Sequence, residues 1–256
     1  IDMDNHRGIE DSIKQWRQEL FRWWVCFQYE TGCRPHETDK LRFSDLTKFK
    51  DPNGVEKLCI KISPNTKTGA RDAIGPTYLL DGIWGHKKEG LKLLARKNSE
   101  HNQRVKARWD KGVKRKADVL KDESIDAEPA ADDLLFFNVF SQTGKRRNYS
   151  TTWYEEQWEE VLKVAMKNPS FPQEAIHKFT MYSLRATHIT HQLLRNDGTD
   201  TDKFIEILAM AVGNTAPIIR SSYRRPMMQL NAKYLANATG ALQEFDDDDV
   251  MESLHN

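Results

Sequence analysis

Between residues 9 and 30, apolar side chains recur at Ile9, Ile13, Trp16, Leu20, Trp23 and Phe27, in steps of three or four. That spacing puts them on one face of a helix, and Gly32 supplies a stop. Residues 36–46 read as a second, short helix leading into Asp45-Leu46. Two β-rich runs follow, Lys57–Ser63 and Arg71–Pro76, separated by the turn-rich Pro64-Asn65-Thr66-Lys67-Thr68-Gly69. The pattern predicts a hairpin with Lys67 near its tip. Residues 86–122 are highly charged, and Leu91, Leu94, Val105, Trp109, Val113 and Leu120 give only a thin apolar stripe. This stretch reads as a helix or helical pair projecting from the body. Residues 122–133 read as a linker, and Leu134–Phe140 is apolar enough to be buried. Further helices are expected at 151–167, 173–179, 183–195, 201–211 and 229–243. The sum is an α+β chain, mainly α, with a small antiparallel β-sheet or hairpin and no internal repeat.

The chain has 256 residues, 38% of them hydrophobic, which suffices for one large or two small domains with a real core. No stretch approaches the roughly 18 apolar residues that cross a bilayer, so no membrane partner is expected. Three cysteines, Cys26, Cys33 and Cys59, are odd in number and lack CxxC spacing, which disfavours both a disulfide framework and a zinc site. A reducing, intracellular setting is the expectation. The initial Ile suggests a fragment of a longer chain.

Charge changes the picture more. The net value is +1, but residues 244–256 hold six acids (Glu244, Asp246–Asp249 and Glu252) and no Lys or Arg. The rest of the chain, 1–243, therefore carries +7. A basic body suits an anionic partner. The acidic tail reads as a solvated end or as a mimic of a phosphate backbone.

Four separated segments each hold a basic or nucleophilic residue beside turn or helix signals. They are Thr31–Arg42, Thr66–Arg71, Tyr182–Thr187, and Val212-Gly213-Asn214 followed by Tyr223. Taken singly each is weak, since Arg34 could be a surface ion pair and Lys67 a solvated turn residue. Arg185 says more. It lies on an apolar helix with Leu184, Ile189 and Leu193, where a charge must be paired or used. Tyr223 is flanked by Arg220, Arg224 and Arg225, and nearby cations favour phenolate and attract phosphate.

In this order the segments resemble the tyrosine recombinase (phage integrase) family from about Trp24 to Tyr223, with residues 82–133 as a charged insertion. The first resembles the pattern G-x-R-x-x-E-x-x-x-L-x-x-x-D at Gly32, Arg34, Glu37, Leu41 and Asp45. The hairpin resembles K-T-G-x-x-R, with Lys67, Thr68 and Gly69 in place and Arg71 one position early. The third resembles H-x-L-R-x-T at Tyr182–Thr187, and the last G-H-x8-Y at Gly213, Asn214 and Tyr223. Two positions depart in type: Tyr182 stands where the family usually has His, and Asn214 where it has His or Trp. Both can still donate a hydrogen bond to phosphate, but neither titrates near neutrality. His188 and His191, one and two turns beyond Arg185, could substitute only if the helix face allows it, and otherwise read as packing or surface histidines.

The resemblance implies a catalytic domain over residues 1–243 with an acidic tail at 244–256. The family's N-terminal DNA-clamping domain is not in this chain, and an initial residue other than Met fits its removal. The implied activity is site-specific cleavage and rejoining of double-stranded DNA through a 3′-phosphotyrosine, with no metal and no cofactor. Tyr223 would be the nucleophile, Arg34 and Arg185 would stabilise charge on the non-bridging oxygens, and Lys67 would protonate the leaving oxygen. Tyr182 and Asn214 would be supporting phosphate donors, while Glu37 and Asp45 would orient the first arginine segment. Tyr234 is the rival nucleophile, but it lies outside the family spacing. The implied partners are double-stranded DNA and further copies of the chain, with exchange of the helix at 229–243. The implied location is cytoplasmic or nucleoid-associated. Tyr182 and Asn214 also motivate an alternative, a weakened relative that only binds DNA. A type IB topoisomerase or telomere resolvase is a third reading.

Overall fold

The structure is a computed structural model, and it describes residues 3–63, 69–109, 128–140, 149–169, 171, 178–196 and 200–223. The described chain is mainly helical with one small sheet, as its hydrophobic pattern predicts. It divides into two units, 1–188 and 189–256.

In the first unit, α1 runs Met3–Thr31 and buries Ile9, Ile13, Trp16, Leu20, Trp24 and Phe27. It ends where Gly32 takes φ 62°, a left-handed conformation that glycine adopts without a steric penalty. A single turn, α2 (Pro35–Thr38), follows and gives way to a 3-10 turn at Phe43–Asp45. The helix expected over 36–46 is therefore corrected to these two short pieces. Between them Leu41 and Arg42 pair with an incoming loop. Leu135 N donates to Leu41 O (2.7 Å), and Arg42 bridges Leu134.

Three antiparallel strands form the sheet in the order β1 (Leu46–Lys50), β2 (Glu56–Ile62) and β3 (Arg71–Pro76). Leu46 faces Ile60, and Ile62 faces Arg71. Strand β1 was not expected, for a physical reason: only Leu46 is buried and the next four residues are exposed, so it lacks a strand's alternation. Leu58, Ile60, Ile62 and Ala73 lie on the same face as Leu46 and turn it into the core.

Helix α3 (Tyr78–Trp109) begins eight residues before the charged stretch, and the part of that stretch up to Ala95 packs in the body rather than projecting from it. Its first half is core, with Leu79, Ile83, Lys87, Leu91 and Ala95 all buried. It lies directly on α1. A Cβ added at Gly82 would overlap the Trp23 ring, and one at Gly90 the Trp16 ring, so these two glycines set the approach of the helices. Ile83 and Leu91, within the stretch that the resemblance reads as an insertion, belong to the main core, and Lys87 is buried between them. Leu135, Phe136, Phe137 and Val139 are buried against it, as the run at 134–140 predicts. Helix α4 (Thr151–Ala165) starts at Ser150, whose hydroxyl accepts from Trp153 N. Tyr154 of α4 stacks near Trp24 of α1, ring centres 4.8 Å apart. Each large side chain fully buried here is worth about 1.5–3 kcal/mol.

Helix α5 (Met181–Arg195) crosses the boundary at His188. The second unit has its own apolar core of Ile189, Leu193, Ile205, Leu208, Ala209, Val212 and Ile219. These come from the end of α5, from α6 (Thr201–Val212) and from α7 (Ala216–Ser222). Helix α7 was not anticipated, although Pro217 at its first turn is a start signal. The helices expected at 173–179 and 229–243 fall wholly or almost wholly outside the described residues. No described helix is long and apolar enough to cross a membrane.

Candidate functional site

The stop at Gly32 turns the chain sharply, and the next residues form a buried polar knot. Thr38 Oγ1 donates to Pro35 O (2.7 Å) and accepts from Trp24 Nε1 (3.1 Å) and Gln28 Nε2 (3.2 Å). These bonds tie α2 to α1 and fix the residue between them, Arg34. Glu37 closes the turn from within. Its carboxylate accepts Arg34 N (2.8 Å), as an N3 carboxylate does in a capping box, and also Arg34 Nη1 (3.1 Å).

Glu37 has a second cation. Arg71 Nη2 donates to its Oε2 at 2.7 Å, and the Glu37 side chain is wholly buried. Arg71 opens β3, so the hairpin delivers it to the first arginine segment. Its one-residue departure from the family pattern leaves it in contact with the motif glutamate. Arg185 arrives from α5, with Nη1 donating to Gly32 O at 2.6 Å across 153 positions of sequence. Arg185 is only 7% exposed. The Cys33 thiol beneath is fully buried, and burial raises its pKa. It also feels the charges of Arg71, Glu37 and Arg185, which places all three around one point.

Two guanidiniums thus meet one carboxylate, and a third is bound to the turn at Gly32. Arginine keeps its charge under all conditions and offers planar donors that match phosphate oxygens. Beside the knot a groove of about 580 Å³ opens between α2 and the sheet, lined by Glu37, Lys40, Asp45, Lys61, Ser63 and Arg71. It borders strands β2 and β3; Lys67, expected at the hairpin tip, lies outside the described residues.

Asp45 bonds within its own turn. Its carboxylate accepts Arg42 N (2.8 Å) and caps the 3-10 turn, so it shapes the end of the motif segment locally. Tyr182 is 52% exposed in the first turn of α5, three residues before Arg185. His36 Nδ1 lies 3.3 Å from its hydroxyl. His188 is buried, with Nδ1 2.8 Å from Tyr29 O, so it takes the packing role of the two offered for it.

In the second unit, Gly213 ends α6 with φ 65°. Asn214 N donates to Ala209 O (2.7 Å), and Asn214 Oδ1 accepts Thr215 N (3.1 Å) at the start of α7. Tyr223 closes α7 half-buried against the local apolar core, its N–H donating to Ile219 O (3.0 Å). Of the cations near it in sequence, Arg220 turns to Asp202 (2.6 Å), and Arg224 and Arg225 lie outside the described residues, as does Tyr234. Among the described residues no group of three or more His, Cys, Asp or Glu could hold a metal ion.

The motif spacing therefore identifies Arg34, Glu37 and Arg185 as a set that the first unit brings together. It missed Arg71 as the second partner of Glu37, and His36 altogether. The basic residue opening the second strand was a usable signal for Arg71; His36 had none beyond its place two residues after Arg34. No family model matches the chain, and no curated protein or solved structure matches it either.

Proposed function

We propose that the chain is a site-specific DNA strand transferase of the tyrosine recombinase type. The observation that carries this reading is the convergence of Arg34, Arg71 and Arg185, from three distant segments, on the buried Glu37 and the turn at Gly32. Such a cluster suits a phosphodiester in its transition state, where charge gathers on non-bridging oxygens.

In the proposed reaction the Tyr223 oxygen attacks phosphorus and loses its proton to solvent. The bond from phosphorus to the 5′ oxygen breaks, and Lys67 gives that oxygen a proton. One phosphodiester becomes one phosphotyrosine plus a 5′ hydroxyl, so a new 5′ hydroxyl can reverse the step without an energy source. Arg34 and Arg185 hold the non-bridging oxygens, with Tyr182 and Asn214 as neutral donors. Phosphate contacts would make binding strongly salt-dependent.

The test uses a library of nicked duplexes of randomised sequence, incubated with the full chain in EDTA and resolved on a denaturing gel. The proposal expects a protein–DNA adduct that survives denaturation. DNA binding without an adduct would favour the second reading, a relative that binds only. That reading draws on Tyr182 and Asn214, which stand where the family usually has His, and His or Trp.

A further inference from the structure

We propose that His36 is a positioning residue that sets the direction of the Tyr182 hydroxyl, and so makes phosphate contact at this position dependent on pH. This rests on the strand-transferase reading above.

The geometry is specific. His36 belongs to α2, two residues after Arg34, and is exposed. Tyr182 belongs to α5, and three-residue spacing puts it on the same helix face as Arg185. The contact of His36 Nδ1 with Tyr182 Oη at 3.3 Å and the bond of Arg185 to Gly32 O join the same two segments. Tyr182 is therefore held beside the arginine cluster, with its hydroxyl facing an imidazole.

A phenol has one hydrogen and two lone pairs. A neutral imidazole whose Nδ1 carries a lone pair takes that hydrogen. The oxygen then shows only lone pairs to an approaching phosphate, and the contact is repulsive. An imidazolium has no lone pair in the ring plane, so its Nδ1–H must donate to Tyr182 Oη. The phenolic hydrogen is then released to point at an anion, and the imidazolium adds a positive charge behind it. Imidazoles change charge within the physiological range, which a phenol or an amide does not. Other charged groups face this pair. Asp39, at the end of α2, lies close enough to feel the charge on His36. Glu155 and Glu159 of α4 line the same cavity of about 540 Å³ as His36 and Tyr182.

The test follows the rate of adduct formation on the nicked library between pH 5.5 and 8.5. It compares the unmodified chain with His36→Asn, whose amide can meet the phenol but does not titrate. The ratio of the two rates is the readout, because Lys67 and Tyr223 contribute equally to both. It should rise about tenfold as the pH falls, the worth of one charge-assisted hydrogen bond. In a Tyr182→Phe background the same comparison should give a ratio near one at every pH. A merely structural bridge would lower the rate of His36→Asn equally across the range, and that flat ratio overturns the proposal. So does a pH-dependent ratio that persists with Tyr182→Phe. If the unmodified chain forms no adduct at any pH, the strand-transferase reading falls, and this inference with it. An adduct with a flat ratio removes His36 alone.

Discussion

Two buried cations in the first unit are handled in opposite ways. Arg71, and Arg34 beside it, meet a wholly buried carboxylate. Lys87, also wholly buried, lies among rings instead, its Nζ 4.4 Å from the centre of Phe137 and 5.4 Å from that of Trp16. It donates to Phe137 O, and burial pushes its pKa well below the usual lysine value, with Asp133 pulling the other way. An amine can shed its proton when the surroundings disfavour charge, but a guanidinium cannot. The lysine site therefore survives without a full counter-charge, whereas the arginine site is built to keep charge in place. On the proposed function the arginine cluster is the place where an anion would be received, while the lysine is a strut between α3 and the loop at 134–140.

Removing the counter-charge should break the comparison hardest. Glu37→Gln leaves two cations without their carboxylate, and the loss of one partner from a buried pair costs about 3–5 kcal/mol. Urea unfolding should show that drop. A change under 1 kcal/mol would mean that Glu37 is not the keystone described here.

The next effect is a pH dependence. His86 stacks on Trp16 at 4.7 Å beside Lys87, and its pKa is lowered to about 4, chiefly by burial and then by the neighbouring lysine charge. The unfolded chain takes up this proton near 6.5, so between 6.5 and 4 the unfolded state holds more protons than the folded one. The stabilising contribution present above 6.5 is lost as the pH falls, to a total of about 3 kcal/mol at most. His86→Phe keeps the ring stack and should flatten that part of the stability curve. Equal slopes in both proteins would place the acid sensitivity elsewhere.

The smallest effect belongs to Lys87→Met. The side chain keeps its length and its ring contacts and loses one hydrogen bond, so unfolding should shift by about 1 kcal/mol. A loss as large as that of Glu37→Gln would erase the distinction between the two sites.

Much of the fold is legible in the spacing of apolar residues. Helix α1 follows from Ile9 to Phe27 at steps of three and four, and the buried run at Leu135–Val139 from its composition. What misled was a basic side chain on a buried face: Lys87 and the residues around it make α3 look solvated, because sequence cannot show that this amine lies against two aromatic rings. Strand β1 hides for the converse reason, since an edge with four exposed residues has no inward face to betray it. At the site, Arg34, Glu37 and Arg185 stand out by their motif spacing, and Arg185 further by its apolar helix. The pairing of Glu37 with Arg71 and the approach of His36 to Tyr182 depend on how distant segments fold together, which local pattern does not encode.

On the proposed function, DNA is joined to Tyr223 without metal. The most direct measurement digests the adduct formed in EDTA and locates the attached nucleotide by mass spectrometry, with Tyr223→Phe run in parallel. Attachment through the Tyr223 oxygen is expected, with a Tyr223→Phe protein that binds DNA but forms no adduct. A nucleotide on any other side chain, or an adduct that persists in Tyr223→Phe, would contradict it.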